Sequence, residues 1–465
     1  MEATLTRPTF LADPLDFDQL AGCLNGRLIR PGDDGYETAR LVHQAAADVR
    51  PLAIVRAADA RDVARTVLFA RDNDLELAVR GGGHSVAGHG TVDGGLVLDL
   101  GEMRGLHIDP DARVAWVQPG LTAGELTEAA AAHGLAVPLG DTGAVGIAGL
   151  TLGGGIGWLV RKHGLTIDSL TAVELVTADG RQLTASATEN QDLFWAVRGG
   201  GGNFGVVTRF QYRLTPVGMI LGGALLMPAS RDVLRSLVPI AASAPRELST
   251  ISFYLNQTPP MPFVAPDHHG KPAILIMFAF DGDPAAGAEA LAPFRAVATP
   301  LGELVAPMPY PAIYQLTAGG AARGAGVMRS AFLKTLDDDA IDTILREMPQ
   351  APGPGMNFTQ IRVLGGAVAD VPGEATAFAH RDAPVMVAIH GAYVDEREPV
   401  ERWADRFFGA LSPKATGVYS NFLDDEGEAR VRQAYPAPTY ERLARVKRRY
   451  DPTNLFRRNQ NIRPA

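Results

Sequence analysis

From about residue 50, short apolar runs alternate with amphipathic stretches. Residues 53–56 read as a strand and 59–73 as a helix. Asp59 suits that helix's N-cap, and Val63, Val67 and Ala70 share one face. Residues 75–79 read as a second strand that runs straight into a glycine cluster. Further strands are expected over 95–100 and 113–117, with a helix over 122–133 stopped by Gly134. A strand over 170–177 meets a turn signal at 178–181, and a strand over 206–214 closes the region. The alternation has no strict strand–helix–strand rhythm, which favours an α+β fold over a doubly wound sheet.

Between about residues 220 and 400 the pattern changes. Strand-like runs at 251–255, 273–280, 358–364 and 385–393 are separated by helical stretches such as 283–298 and 337–348. This predicts a second α+β unit with an antiparallel sheet. A helix is expected over 399–408, with Pro399 at its first position and Gly409 as its stop, and another over 440–450. The polar ending 457–461 beside Leu455 and Phe456 reads as a packed tail or a free one.

The 465 residues call for more than one domain, and 46% apolar with 20% charged residues suits a soluble protein. A net charge of −9 argues against nucleic acid or an anionic membrane as partner. No apolar run is long enough to span a membrane, and the start, Met1 to Gln19, lacks the pattern of a secretory signal. Cys23 is the only cysteine, so internal disulfides and cysteine-rich metal centres are excluded. A cytoplasmic location is expected, with no metal, as a monomer or a homodimer.

Many of the 51 glycines fall in clusters. Arg80, Gly81, Gly82, Gly83, His84 and Ser85 follow a predicted strand directly, an arrangement that turns backbone N–H groups toward a pyrophosphate. No Gly-Lys-Ser/Thr follows, so this is not a Walker loop. His84 is the unusual member, open to a chemical role or to ordinary solvation. Residues 200–205 match Gly-x-Gly-x-x-Gly, but a helical stretch precedes them, so the match reads as accidental. Val145, Gly146 and Gly149, then Gly153, Gly154 and Gly157, suggest backbone wrapped around a flat ligand or a tight chain crossing.

Taken in order, these pieces resemble the berberine-bridge-enzyme-like oxidoreductases of the vanillyl-alcohol-oxidase, or PCMH-type, superfamily. The resemblance runs through RGGGHSVAGH at 80–89, including Gly88 and His89, and DGGLVLDL at 93–100. It continues through VGIAG at 145–149 with GGG at 153–155, and DLFWAVRG at 192–199. Gly202, Asn203, Gly205, Val206 and Val207 follow, then YSN at 419–421 and KRRYDPTNLF at 447–456. It is close to the 6-hydroxy-D-nicotine oxidase branch.

The resemblance implies an FAD domain built from both chain ends, over 1–216 (core about 47–216) and 405–465, with a substrate domain over 217–404 inserted between them. It implies FAD bonded through its 8α carbon to His84. Many members add a cysteine bond at a position that here, within Gly140, Asp141 and Thr142, is Thr142, so a single attachment is expected. Asn421, Asn459 and Asn461 are candidates to bond the flavin or merely to cap loops. Tyr419 of YSN matches a family base, although a phenol needs a stabilised phenolate to serve. Arg362 could supply that stabilisation, and otherwise Tyr419 is a core-edge aromatic.

Gln360, Arg362 and Leu364 share one strand face, which in the family runs over the flavin. That face carries no acid, which favours Tyr419 or a substrate-assisted route. His380 and Arg381 read as structural. Phe253, Met308, Tyr310, Tyr314, Phe358 and Tyr393 could line an apolar pocket or be simply core. The resemblance implies hydride transfer from a small organic substrate to flavin and electrons passed to O2, giving H2O2. A dehydrogenase slow with O2, a flavin-binding protein without turnover and a tailoring enzyme using a flavin–oxygen adduct stand as alternatives.

Overall fold

A computed structural model describes residues 15–44, 48–353 and 355–465. Most of the reading of Met1 to Gln19, and the core start at 47, lie outside the described residues. The chain has the expected α+β architecture. Three strands, Ala53–Arg56, Leu96–Asp99 and Leu77–Arg80, pair in parallel in that order, and Arg27–Ile29 adds antiparallel on the Ala53–Arg56 side. Helix Ala60–Asp72 covers them through Val63, Val67 and Ala70. Its N-cap is Asp59, whose carboxylate accepts from the N–H groups of Arg61 and Asp62 at 2.8 and 3.0 Å. A second, antiparallel sheet orders Leu106–Asp109, Val114–Val117, Val206–Arg213, Leu170–Val176 and Gln182–Ser186.

The third sheet has eight antiparallel strands. Its order is Gly302–Pro309, Met219–Pro228, Ala273–Phe280, Leu248–Leu255, Phe358–Val363, Val385–Tyr393, Ala325–Leu333 and Ala415–Gly417. Helices Arg231–Ser243, Pro284–Val297, Asp338–Glu347 and Arg397–Leu411 bury one face. Strand alternation turns Ile361 and Val363 to those helices and Gln360 and Arg362 to the other face, where a cavity lies. The last strand lies beyond 405, so the chain leaves this sheet later than the expected boundary.

One expected helix has wider bounds, and the strand Met219–Pro228 was not expected from the sequence. Helix Arg397–Leu411 begins before Pro399 and runs through Gly409. Pro399 sits in the first turn, where N–H groups lack intrahelical acceptors, and Leu411 packs into the core beyond the exposed glycine. Strand Met219–Pro228 was masked by its internal Gly222 and Gly223. At Gly223 a β-carbon would lie 1.8 Å from the Leu304 carbonyl oxygen, so the neighbouring strand approaches too closely for a side chain.

Candidate active site

The cavity of about 620 Å³ lies between the eight-stranded sheet and the glycine loops, within the usual size range of a ligand pocket. Its walls come from 80–85, parts of 140–149 and 201–207, the strand Phe358–Val363, and the stretches 419–423 and 456–460. The expected residues at positions 80–85, 89, 140–142, 145, 146, 149, 202, 203, 205–207, 360, 362, 419, 421 and 459 thus come together. Gly88 instead borders a neighbouring recess.

Gly153, Gly154, Gly157 and Asn461 do not line the cavity. A β-carbon on Gly153 would meet Asn421 Oδ1 at 2.1 Å, and one on Gly157 would meet the Leu139 carbonyl at 1.8 Å. Gly154 faces the Phe378 ring at 2.9 Å in the same sense. These glycines serve a tight chain crossing, the second of the two readings of this run. At the cavity wall Gly82 and Gly146 meet backbone to backbone: a β-carbon on either would lie within 2.5 Å of the other's nitrogen.

Arg80 is held beneath its loop. Its Nη2 donates to Ala39 C=O at 2.6 Å and to the Asp99 carboxylate at 2.9 Å. His84 is half-buried on the cavity wall and stacks on His43, with ring centroids 4.2 Å apart and planes 19° apart. It has no hydrogen-bond partner among the described residues. Burial, helped by His43, pushes its pKa down to about 4, so the imidazole is uncharged at neutral pH. His89 and His390 are likewise pushed to about 4 by burial, with Arg458 adding to the effect at His89.

Arg362 Nη2 donates to Asp141 Oδ2 at 2.7 Å, and its Nε donates to Gln360 Oε1 at 2.8 Å. The acid missing from the strand face therefore arrives from the 140–145 loop. The Tyr419 hydroxyl accepts from Gly155 N–H at 3.1 Å and Asn421 Nδ2 at 3.0 Å. Burial nevertheless raises its pKa, outweighing those donors and Arg362, so Tyr419 stays a neutral phenol. That finding tells against Tyr419 as a base.

Of the candidate pocket residues, Phe253 and Phe358 line the cavity, packed edge to face at 5.4 Å. Met308, Tyr310 and Tyr314 belong to the core beside Ile313, and Tyr393 packs toward the helices. His380 Nε2–H donates to the carbonyls of Gln433 and Ala434 at 3.2 and 3.0 Å, and Arg381 pairs with Asp168 at 2.7 Å, both structural roles.

The tail is packed: Ile462 is fully buried, and its N–H donates to Asn203 Oδ1 at 2.9 Å. Residues missed by sequence reading are His43, Gln44, His390 and Arg458, all on the cavity wall. His43, Gln44 and Arg458 sit in no glycine cluster or periodic stretch, and His390, inside the expected strand 385–393, carries no local mark of a role.

A family model described as "FAD binding domain" matches residues 51–186, and one described as "Berberine and berberine like" matches 418–463. The chain is 31% identical to the (R)-6-hydroxynicotine oxidase of Paenarthrobacter nicotinovorans, over 95% of this chain and 97% of that one. It is a berberine-bridge-enzyme-like FAD-linked oxidoreductase. An uncharacterized FAD-linked oxidoreductase of Bacillus subtilis (strain 168) is also 31% identical, over 95% of this chain and 97% of its own length. The crystal structure of 6-hydroxy-D-nicotine oxidase from Arthrobacter nicotinovorans superposes with a TM-score of 0.85 at 29% identity, covering 95% of this chain and 98% of that one. Xylooligosaccharide oxidase from Myceliophthora thermophila, at 24% identity and a TM-score of 0.84, shares the fold.

The residues present fit the FAD of this berberine-bridge-enzyme-like family. Three glycine-rich stretches line one cavity, Gly81 to Gly83, Gly146 with Gly149, and Gly201 with Gly202 and Gly205. Asn459 Oδ1 is buried on the wall without a partner, a group that a ligand N–H or O–H would satisfy. Among the described residues no group of side chains could hold a metal ion, and no helix is long and apolar enough to cross a membrane.

Proposed function

We propose that the protein is an oxidase carrying FAD through one covalent bond to His84. The observation that carries this reading is the His84 imidazole, uncharged and without a hydrogen-bond partner, standing on the cavity wall at the end of the glycine cradle. A neutral imidazole keeps a lone pair free to bond a carbon. Thr142 has no thiol to offer, so the attachment is single. Residues 80–85, 145–149 and 201–207 would hold the dinucleotide through backbone N–H groups, with Arg458 as a nearby cation. Asn459 and Asn421 border the same space. When bound, FAD supplies the hydride acceptor and the route for electrons to O2, giving H2O2.

Substrate would lie against Phe253, Phe358 and His390, with Gln360 and Arg362 facing its polar group. Asp141 is the one carboxylate bordering the cavity among the described residues. Arg362 holds its Oδ2, while Oδ1 has no partner among the described residues and can accept the proton that leaves a hydroxyl or amine as hydride departs. Tyr419 remains protonated and fixes the position of Asn421 and the 155 turn.

Stopped-flow reoxidation of the reduced protein tests the oxidase reading. Rapid return of the flavin absorbance on mixing with O2, with H2O2 formed in equal amount, is expected. Slow return with fast reoxidation by an artificial dye would make the protein a dehydrogenase.

A further inference from the structure

The segment 39–44 crosses over the loop that carries His84. His43 N–H donates to Gly83 C=O at 3.0 Å, and His43 C=O accepts from Gly324 N–H at 3.3 Å. Gln44 Nε2 donates to Val86 C=O at 3.0 Å and to Gly326 C=O at 2.9 Å. Arg80 and Arg323 add further donors to the carbonyls of Ala39 and Val42. The segment is therefore stitched on one side to the attachment loop and on the other to the strand Ala325–Leu333. This anchorage uses backbone and neighbouring side chains. The His43 ring takes no part in it, and lies face to face with His84 at 4.2 Å.

A loop imidazole with no hydrogen bond is free to turn about both side-chain torsions. One flat face against it removes most of that freedom and leaves its edge, with the ring nitrogens, open. We infer that His43 is a positioning residue for flavin attachment: its ring holds the His84 imidazole in the plane from which a ring nitrogen meets the flavin 8α carbon. This rests on the proposed covalent bond at His84.

The step balances with O2 as oxidant. A His84 N–H and one C–H of the 8α methyl group break, and a C–N bond forms. The two hydrogens and the electron pair leave on O2 as H2O2. Because the faces are stacked, His43 cannot take the His84 N–H proton in plane, so its part is orientation. The charged or titratable groups around the pair are Arg80 beside Gly83, Arg323, which donates to the Val42 carbonyl next to His43, and His390 in the lining of the same cavity. None forms an ion pair with either ring.

The test is the rate at which flavin becomes acid-stable on the polypeptide, followed by in-gel flavin fluorescence after adding FAD to protein produced under riboflavin limitation. His43→Leu keeps bulk without a flat face, and its strap hydrogen bonds come from the backbone. It should slow attachment at least ~10-fold while still binding FAD that acid releases. His43→Phe restores a flat face and should attach within about threefold of wild type. Attachment at the wild-type rate in His43→Leu, or a His43→Phe as slow as His43→Leu, would overturn the inference. A wild-type protein that never acquires acid-stable flavin, or a His84→Ala that does, would instead overturn the covalent reading beneath it.

Discussion

Gly82 and Gly146 leave no room for a side chain at the cavity wall, since a β-carbon on either would lie within 2.5 Å of the other's backbone nitrogen. Gly146→Ala forces the two loops apart, at a cost of about 1–3 kcal/mol. The variant should purify with a lower flavin-to-protein absorbance ratio than wild type, and an unchanged ratio would show that the loops have slack. Asp141→Asn should lower the rate of flavin reduction by about 100-fold or more. Tyr419→Phe should lower it by less than about tenfold, because a buried neutral phenol has little base strength to lose. Anaerobic stopped-flow reduction at saturating substrate compares them, and the reverse order would restore Tyr419 as the base. The glycine loops and His84 were legible in the sequence because their meaning is local. The Asp141–Arg362 pair was not, because its partners stand 221 residues apart. Nor was the His43–His84 stack, which depends on a chain crossing that no local pattern announces.

Among the elements, the helix Ala437–Tyr450 and the turn after it explain the long C-terminal motif. Lys447 and Asp451 are fully buried and paired at 2.7 Å. The ammonium also donates to the carbonyls of Asn203 and Phe456 at 2.8 Å, and the carboxylate accepts from Leu455 and Phe456 N–H at 2.8 and 2.9 Å. One ion pair thus binds the tail to the 201–205 glycine loop. Lys447→Met leaves Asp451 charged, buried and unpaired, and should cost about 3–5 kcal/mol. Urea unfolding measures it, and a loss below about 1 kcal/mol would mean that water reaches Asp451. The helices capped by Asp59, Asp283 and Asp337 and the apolar strand Ala273–Phe280 were readable from sequence. The strand Met219–Pro228 was hidden by glycines that tertiary packing, and not turn chemistry, requires.

For the whole molecule, the cavity joins the glycine loops, the eight-stranded sheet and the returning tail. Its histidines give it a definite response to acid. Burial holds His89 and His390 near 4 in the fold, while an unfolded histidine titrates near 6.5. Between those values the unfolded chain binds protons that the native state does not, so stability is full above about 6.5 and lost as pH falls toward 4. The urea midpoint should be lower at about pH 5 than at about pH 7.5, and His390→Phe should flatten that slope. A midpoint that rises on acidification would contradict the burial of these rings. Intact mass spectrometry of acid-denatured protein reads the proposed covalent bond at His84 without any substrate. Wild type should carry the mass of one FAD less two hydrogens, lost entirely in His84→Ala. An unmodified wild-type mass, with free FAD in the supernatant, would contradict the covalent assignment.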